Sequence, residues 1–589
     1  MLSLSALQKA QTLHDLAHIL NYEPKFLSYI LYKKPVKYSH FTIPKSSGGP
    51  RSIAEPCDEL KALQRKVKEL LEVCLKTIKT KNPQYGSLSH GFKKDHSIVT
   101  NAYPHRKKRF VFNVDISDFF GSIHIGRLRG FFITNKDFNL SPKVATILAQ
   151  IICHDDALPQ GAPTSPIASD LIGHLIDIRL VSIAERYKCV YSRYADDITF
   201  STNEKSFPSA IAFLVEGTFD WIPGRALLKA IHKCGFGLNY NKTRMLYRES
   251  QQTVTGLVVN QKVNPPAAYR RQIRAALHKL FLDGHYFLKE TPKHKKTSKE
   301  VNFGINKLEK IEGMLSYVYM VDKFNRKLAV DTSKSKKEED IQKTSLEKLH
   351  GDFLFYKYFY ANSKPTIICE GKTDNVYLTC AIKSLYKSYP ELAKISDGEL
   401  KLNVNFINYS ELTHRVLGLN GGTGDIANLI RSYAKQCGKY KAHPPLHPTI
   451  VVLDNDSGSQ QILNAVKDLT TPRYDIPNGK GKKLDTTKDF YKIAQNLYMV
   501  LTPLAGGKST MMEDFFPQSV LNTIYKGKTF EILKKSPPDK TYSKHIFAQH
   551  IVKAGQKKID FKNFSTILDN ITKSIKDYPP ITFPKSSKP

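Results

Sequence analysis

Two aspartates, Asp196 and Asp197, stand side by side in YSRYADDITFS, residues 191–201, between two short apolar runs rich in β-formers. The stretch reads as strand, tight turn, strand, with both carboxylates at the turn. Two such charges ~4 Å apart repel by about 4 kcal/mol at an effective dielectric of ~20. A fold tolerates that most readily when a cation sits between them. Upstream, in RFVFNVDISDFFGSI, the β-run FVFNV ends at Asp115. Three carboxylates from two adjacent strands can hold two Mg²⁺ ions ~3.5–4 Å apart, an arrangement that brings an attacking hydroxyl to a phosphate. An isolated Asp-Asp pair, by contrast, is what many solvated turns contain.

The pattern recurs in the second half. In KPTIICEGKTD, 364–374, the strand TIIC runs into Glu370, with Asp374 four residues on. In HPTIVVLDNDSGS, 447–459, the strand TIVVL runs into Asp454 and Asp456. Buried strands that end in polar residues at their carboxyl edge are where α/β sheets place ligands.

A chain of 589 residues is too long for one core, so two or more domains are expected. The formal net charge of +35 points to a nucleic-acid partner, because Lys and Arg displace the counterions of a phosphate backbone. The eight cysteines form no C-x-x-C pair, which argues against zinc ribbons and a disulfide framework and suits a reducing cytoplasm. The N-terminus repeats leucine at helical spacing and lacks the apolar core of a signal peptide. The longest uncharged apolar run, VATILAQIIC at 144–153, is far short of the ~20 residues of a membrane span, so no membrane partner is expected.

YADD and FNVDISDFF, in order with three other segments, resemble the catalytic palm of a reverse transcriptase. IPKSSGGPRSIAEP, 43–56, resembles the fingers hairpin, and the resemblance makes Lys45 and Arg51 the grip on an incoming triphosphate. LPQGAPTSPIASD, 158–170, resembles the template- and nucleotide-contacting segment, with Gln160 at the matching place. GFGLNYNKTRM, 235–245, resembles the motif whose lysine, here Lys242, lies near the leaving pyrophosphate. Phe120 falls where the family keeps an aromatic beneath the sugar, which selects deoxynucleotides. Asp115, Asp196 and Asp197 become the catalytic and metal-binding residues. Read without the family, the fingers stretch is a solvated basic turn, Phe120 a core residue and Lys242 a surface lysine.

NAYPH, 101–105, and TVTGLVVN, 253–260, resemble the NAxxH and VTG boxes of retron reverse transcriptases. That resemblance implies a chain that copies its own structured noncoding RNA. Priming would come from an internal guanosine 2′-hydroxyl, giving a branched RNA–DNA called msDNA, with dNTPs as substrates. Arg270, Arg271, Arg274 and Lys279 in a thumb-like helix are candidates for RNA backbone contacts, or for an ordinary solvated face.

The order E-G-K-T-D, then D-x-D on a later strand, resembles the Toprim arrangement, and MMEDFFP, 511–517, resembles a further acidic segment of OLD-type Toprim nucleases. The resemblance implies catalytic Glu370, Asp454 and Asp456, and metal ligands that also include Asp374 and Glu513, for one or two Mg²⁺. Lys508 is a candidate cation for phosphate, or a loop lysine. Asp425 in NGGTGDIANL is read as a helix N-cap.

The expected fold is a multidomain α/β chain: a right-hand polymerase of fingers, palm and thumb, followed by a Toprim Rossmann-like α/β domain. The expected boundaries are fingers and palm 1–255, thumb 256–330, linker 331–363, Toprim domain 364–520 and a C-terminal helical extension 521–589. The expected function is a retron reverse transcriptase with a fused nuclease effector in antiphage defence, acting on a nucleic-acid target and allowing a homo-oligomer with msDNA. The rival reading is a group II intron-like or diversity-generating reverse transcriptase carrying a non-catalytic Toprim binding module.

Overall fold

The computed structural model describes residues 2–45, 49–82, 88–288, 307–332, 337–467, 469, 487–532 and 540–579. The tip of the fingers turn, Ser46 to Gly48, lies outside them. The chain divides into two compact units: 1–269 with 320–332, and 333–589 with 270–289 and 302–319.

The first unit is built on an antiparallel sheet. Its strand order is Val190–Tyr194, Asp197–Thr202, Phe110–Ser117, Gly237–Leu238, with Arg244–Tyr247 also paired to Phe110–Ser117. Phe112, Val114, Ile198 and Phe200 enter one core with helices Asp58–Lys81, Pro142–Ile152 and Ser165–Arg186. The run expected to be too short for a membrane is the helix Pro142–Ile152. Its start is set by Ser141, whose hydroxyl accepts the Val144 N–H, and by Pro142 in the first turn. Ahead of the sheet, Tyr38–Pro44 and Pro50–Pro56 form an antiparallel hairpin in which Ile43 faces Arg51.

The second unit holds a five-stranded sheet ordered Asn405–Phe406, Thr366–Cys369, Thr449–Leu453, Leu497–Leu501, Tyr491–Ala494. The first four strands are parallel and the last is antiparallel. Thr366–Cys369, Thr449–Leu453 and Leu497–Leu501 are buried at every residue, as parallel strands covered on both faces are.

Three expected boundaries read differently in the structure. Most of the thumb-like helix Ala267–Asp283 belongs to the second unit, and its Ile273, Leu277 and Leu280 are buried. Within the expected linker, Ser345–Phe355 is a helix with a full Thr344/Glu347 capping box, burying Phe353, Leu354 and Phe355. The charged run before it hid an apolar helix. The expected C-terminal extension is a layer of the second unit, because Phe547, Phe564, Ile567 and Leu568 share a core with Ile367, Ile450 and Val500. Among the described residues no helix is long and apolar enough to cross a membrane.

Candidate active sites

Strand register sets the first acidic site. Asp115 and Asp197 are directly opposed across antiparallel strands. Ala195, in the left-handed region at φ 56°, makes the tight turn that brings Asp196 beside them. The Ile116 N–H donates to the Asp196 carbonyl at 3.0 Å, so the turn folds back onto the neighbouring strand.

The turn has a buried support that the sequence did not announce. Arg193, 1% exposed, donates to both Asp177 oxygens at 2.7 and 2.8 Å and to the Ala195 carbonyl at 3.0 Å. Asp177 lies on helix Ser165–Arg186, and so does Gly173. A Cβ on Gly173 would stand 2.7 Å from the guanidinium. Gly91 presses on the turn from the other side, where a Cβ would meet the Ala195 nitrogen at 2.8 Å.

Crowding shows in the proton affinities. Partial burial in the cleft, then the charges of Asp196 and Asp115, push the Asp197 carboxyl up to about 7. Asp196 is raised by burial and by Asp115. Lys242 Nζ sits 2.9 Å from Asp115 Oδ2 and supplies a first cation. Arg51, on the hairpin, also acts on Asp196 through its charge. The Gln160 carbonyl accepts the Ala54 N–H at 2.9 Å, tying its loop to the hairpin. The adjacent Gly161, at φ 128°, leaves no room for a Cβ, which would stand 2.8 Å from the Ala54 carbonyl oxygen. Phe120 is half-buried, edge-on to Phe92 and Phe119. Lys45 is exposed at the hairpin end, its N–H bonded to the Gly49 carbonyl.

The two short boxes meet each other. In the first, buried His105 bonds Ser201 Oγ at 2.7 Å and Ser192 Oγ at 2.8 Å, and Ser192 donates to Asn101 Oδ1 at 2.8 Å. Asn101 and His105 thus pin the two strands that flank the aspartate turn. Burial drives the His105 pKa down to about 3 and keeps the ring neutral. In the second box, Thr255 Oγ1 donates to the Ile98 carbonyl at 3.1 Å, at the head of the helix carrying Asn101.

The second acidic site forms at the carboxyl edge of the parallel strands. Glu370 follows Thr366–Cys369, and Asp454 follows Thr449–Leu453. Asp374 accepts the Gly371 N–H at 2.7 Å, and Asp454 accepts the Met512 N–H at 2.9 Å, which draws the Glu513 segment to the sheet. Asp456 accepts the Gly458 and Ser459 N–H groups at 2.9 and 3.3 Å. Burial, then Asp374, Glu513 and Glu370, push Asp454 up to about 8. Burial, then Asp456 and Asp374, push Glu370 up to about 7. Burial also raises Asp374 and Glu513.

The cation here is Lys544, whose Nζ lies 3.0 Å from Glu513 Oε1. Sequence reading looked instead to Lys508, which is exposed on a Gly506-Gly507 turn. Lys544 was missed because it lies in the stretch with no recognisable motif. Asp425 corrects a second expectation: the N-cap is Gly422, and Asp425 sits in the first turn, accepting the Asn420 N–H at 2.8 Å.

Both sites fit divalent metal. Glu370 Oε2 and Glu513 Oε2 are buried without a hydrogen-bond partner, and such oxygens are costly unless a cation completes them. In the first site the strand register and the Ala195 turn bring the carboxylates of Asp115, Asp196 and Asp197 together, a donor set of the kind that divalent metal takes. Neither acidic set gathers three carboxylate oxygens within 4.8 Å of one another. Lys242 and Lys544 each engage one acid of their site.

Of the thumb-like cations, Arg271 is exposed and Arg270 half-buried. Arg274 donates to Ser345 Oγ at 3.0 Å, and Lys279 pairs with Asp283 at 2.7 Å.

The family model "Reverse transcriptase (RNA-dependent DNA polymerase)" matches residues 43–264. The chain is 32% identical over 333 residues to the Retron Ec86 reverse transcriptase of Escherichia coli, covering 55% of this chain and 90% of that one. It is 33% identical to the Retron Mx65 reverse transcriptase of Myxococcus xanthus, covering 41% and 55%. It is 32% identical to the Retron Mx162 reverse transcriptase of the same organism, covering 48% and 58%.

Proposed function

Because this chain belongs to the retron reverse transcriptases, we propose that it copies its own structured noncoding RNA into msDNA, priming from an internal guanosine 2′-hydroxyl. The observation that carries the polymerase reading is the register that opposes Asp115 to Asp197, with Asp196 on the turn between strands. Mg²⁺, when bound, lowers the charge on the reacting oxygens and orients them for in-line displacement. Asp115, Asp196 and Asp197 would hold it. Lys45 and Arg51 bind the triphosphate oxygens of the incoming dNTP. Gln160, on a loop tied to the hairpin, positions template and nucleotide. Phe120 occupies the space a 2′-hydroxyl would need, favouring deoxynucleotides. Lys242 faces the pyrophosphate side and neutralises the leaving charge.

The second unit is read as a Toprim nuclease. Glu370, Asp374, Asp454, Asp456 and Glu513 converge at the carboxyl edge of a parallel sheet, and two of their oxygens are buried without a partner. That is the observation supporting a metal-dependent phosphodiesterase over a module that only binds. Lys544 stands where it can meet a phosphate oxygen. The whole chain is then a two-part antiphage system of the cytoplasm. Its msDNA favours a restrained state of the nuclease, and restraint requires only that msDNA bind that state better than the active one.

The test is sequencing of the nucleic acid that copurifies with the chain, followed by a Mg²⁺-dependent cleavage assay on DNA, messenger RNA and transfer RNA. A short branched RNA–DNA is expected, with cleavage of one substrate class. Copurification of an unbranched RNA alone defeats the retron reading. Failure to cut any substrate defeats the nuclease reading and leaves the polymerase untouched.

A further inference from the structure

Among the described residues, one group of three His, Cys, Asp or Glu side chains has its donor atoms all within 4.8 Å of one another, and it lies in neither acidic site. It consists of His40, His154 and Asp155. His40 is on strand Tyr38–Pro44 of the fingers hairpin, and His154 and Asp155 follow helix Pro142–Ile152. We propose that these three side chains form a binding site for a divalent cation of the zinc class, which clamps the base of the hairpin to the loop after that helix.

Two of the three ligand pairs stand at metal-ligand spacing, and the third is within 4.8 Å. His154 Nε2 stands 3.3 Å from His40 Nε2 and 3.3 Å from Asp155 Oδ2. Ligand atoms ~2.0–2.1 Å from a tetrahedral zinc ion stand ~3.3–3.4 Å apart. A direct hydrogen bond between two ring nitrogens would be nearer ~3.0 Å. A single Nε2 atom that faces both an imidazole nitrogen and a carboxylate has at most one proton to offer them. A cation bound by all three satisfies each.

The ligands are held in place before metal arrives. The His154 ring stacks on Tyr38, centroids 3.9 Å apart and planes 17° from parallel. Tyr38 is itself buried, and its hydroxyl accepts from Gln64 Nε2 at 2.8 Å. Gln64 also donates to the Ile151 carbonyl at 2.8 Å. Asp155 and Asp156, at φ 45° and 61°, form a two-residue turn closed by mutual bonds between His154 and Ala157 at 2.9 and 3.0 Å. Such outer contacts fix ring and carboxylate orientation at metal sites. A cavity of 360 Å³, lined by Tyr38, Cys153, His154 and Asp155 and not by His40, opens beside two of the three ligands, and the exposure of His40 and Asp155 leaves a fourth ligand position to water. Two imidazoles and one carboxylate suit zinc over Mg²⁺ or Ca²⁺, which prefer all-oxygen sets.

The consequence is mechanical. The same hairpin carries Lys45 and Arg51 at its other end. A cation at its base ties the hairpin to the first unit's core by a second bond set, 114 residues apart in sequence.

The untagged full chain, stripped with EDTA, is titrated with Zn²⁺ against a chromophoric chelator, beside His40→Ala and Asp155→Asn. Both replaced side chains are exposed, so the variants keep the fold, which circular dichroism in EDTA checks. Zinc held by the two acidic sites is common to all three proteins. The expected result is one equivalent fewer in each variant. Co²⁺ should give the strong visible absorption of a tetrahedral site in the wild type and lose it in His40→Ala. Equal zinc stoichiometry in the wild type and either variant, or a cobalt spectrum unchanged by His40→Ala, overturns the proposal.

Discussion

Asp115 and Asp197 face each other across the two central strands of the first unit, and Lys242 reaches Asp115 from a third segment, Nζ to Oδ2 at 2.9 Å. Two like charges in register on an antiparallel ladder oppose folding. Their position is accepted because the strands beneath are held by Phe112, Val114, Ile198 and Phe200 in the core and by Arg193 under the turn.

Asp197→Asn keeps the shape of the turn and removes one of three charges. DNA synthesis should fall by about 10³-fold or more, as when a group acting directly on the reacting phosphate is lost. The second unit should stay folded, with its cleavage activity intact. Primer extension and circular dichroism measure both. Normal cDNA from this variant would reject the palm assignment.

Asp177→Asn tests the support under the turn. Removing one partner of a buried ion pair costs ~3–5 kcal/mol, because the other charge stays buried. Arg193 is 1% exposed and Asp170 is its second acid, at 3.5 Å. Denaturant unfolding followed by tryptophan emission should show that loss, reported by Trp221 in the first unit. Asp170→Asn should cost less, since Asp177 keeps the shorter contacts.

His105 makes a pH prediction. Its folded pKa of about 3 lies below the ordinary value of 6.5. Between those limits the unfolded chain binds a proton that the folded chain does not. The stability contributed is therefore whole above pH 6.5 and declines as pH falls toward 3. From pH 6.5 to 5 the loss is about 2 kcal/mol. His105→Asn should be less stable than the wild type at pH 7.5, and the gap should narrow by that amount at pH 5. A gap independent of pH would show that His105 is not a buried neutral ring.

Gly161→Ala places a Cβ against the Ala54 carbonyl at a backbone angle that alanine resists. The loop must shift away from the hairpin. The expected effect is a higher KM for dNTPs, with little change in the second unit's cleavage, read by steady-state primer extension. An unchanged KM would detach the Gln160 loop from nucleotide positioning.

Asp454→Asn should abolish cleavage and cellular toxicity while msDNA is still made. Lys544→Ala should reduce cleavage by about 10²-fold or more, as expected for a cation facing transition-state charge. Toxicity that survives Asp454→Asn would remove the nuclease from the second unit.

Legibility followed the range of the signal. The strands FVFNV, TIIC and TIVVL, the turn around Asp196 and Asp197 and the acids at the strand ends were readable because each is local: apolar runs bounded by polar turns. Ser345–Phe355 was hidden by the charged residues before it, although its Thr344/Glu347 box was a readable start. The role of the last segment was unreadable, because nothing local says that Phe547 and Ile567 cover a sheet begun at Thr366.

By itself the sequence determined which residue types stand in which order, and hence that acids cluster in or beside short β-runs in two separate parts of the chain. Only the tertiary structure decided what answers those charges: Arg193 to Asp177, Lys242 to Asp115, Lys544 to Glu513 and His40 to His154. The physical reason is that electrostatic and metal-ligand partners act over a few ångströms in space at any separation along the chain. The local periodicities that encode strands and helices carry no record of them.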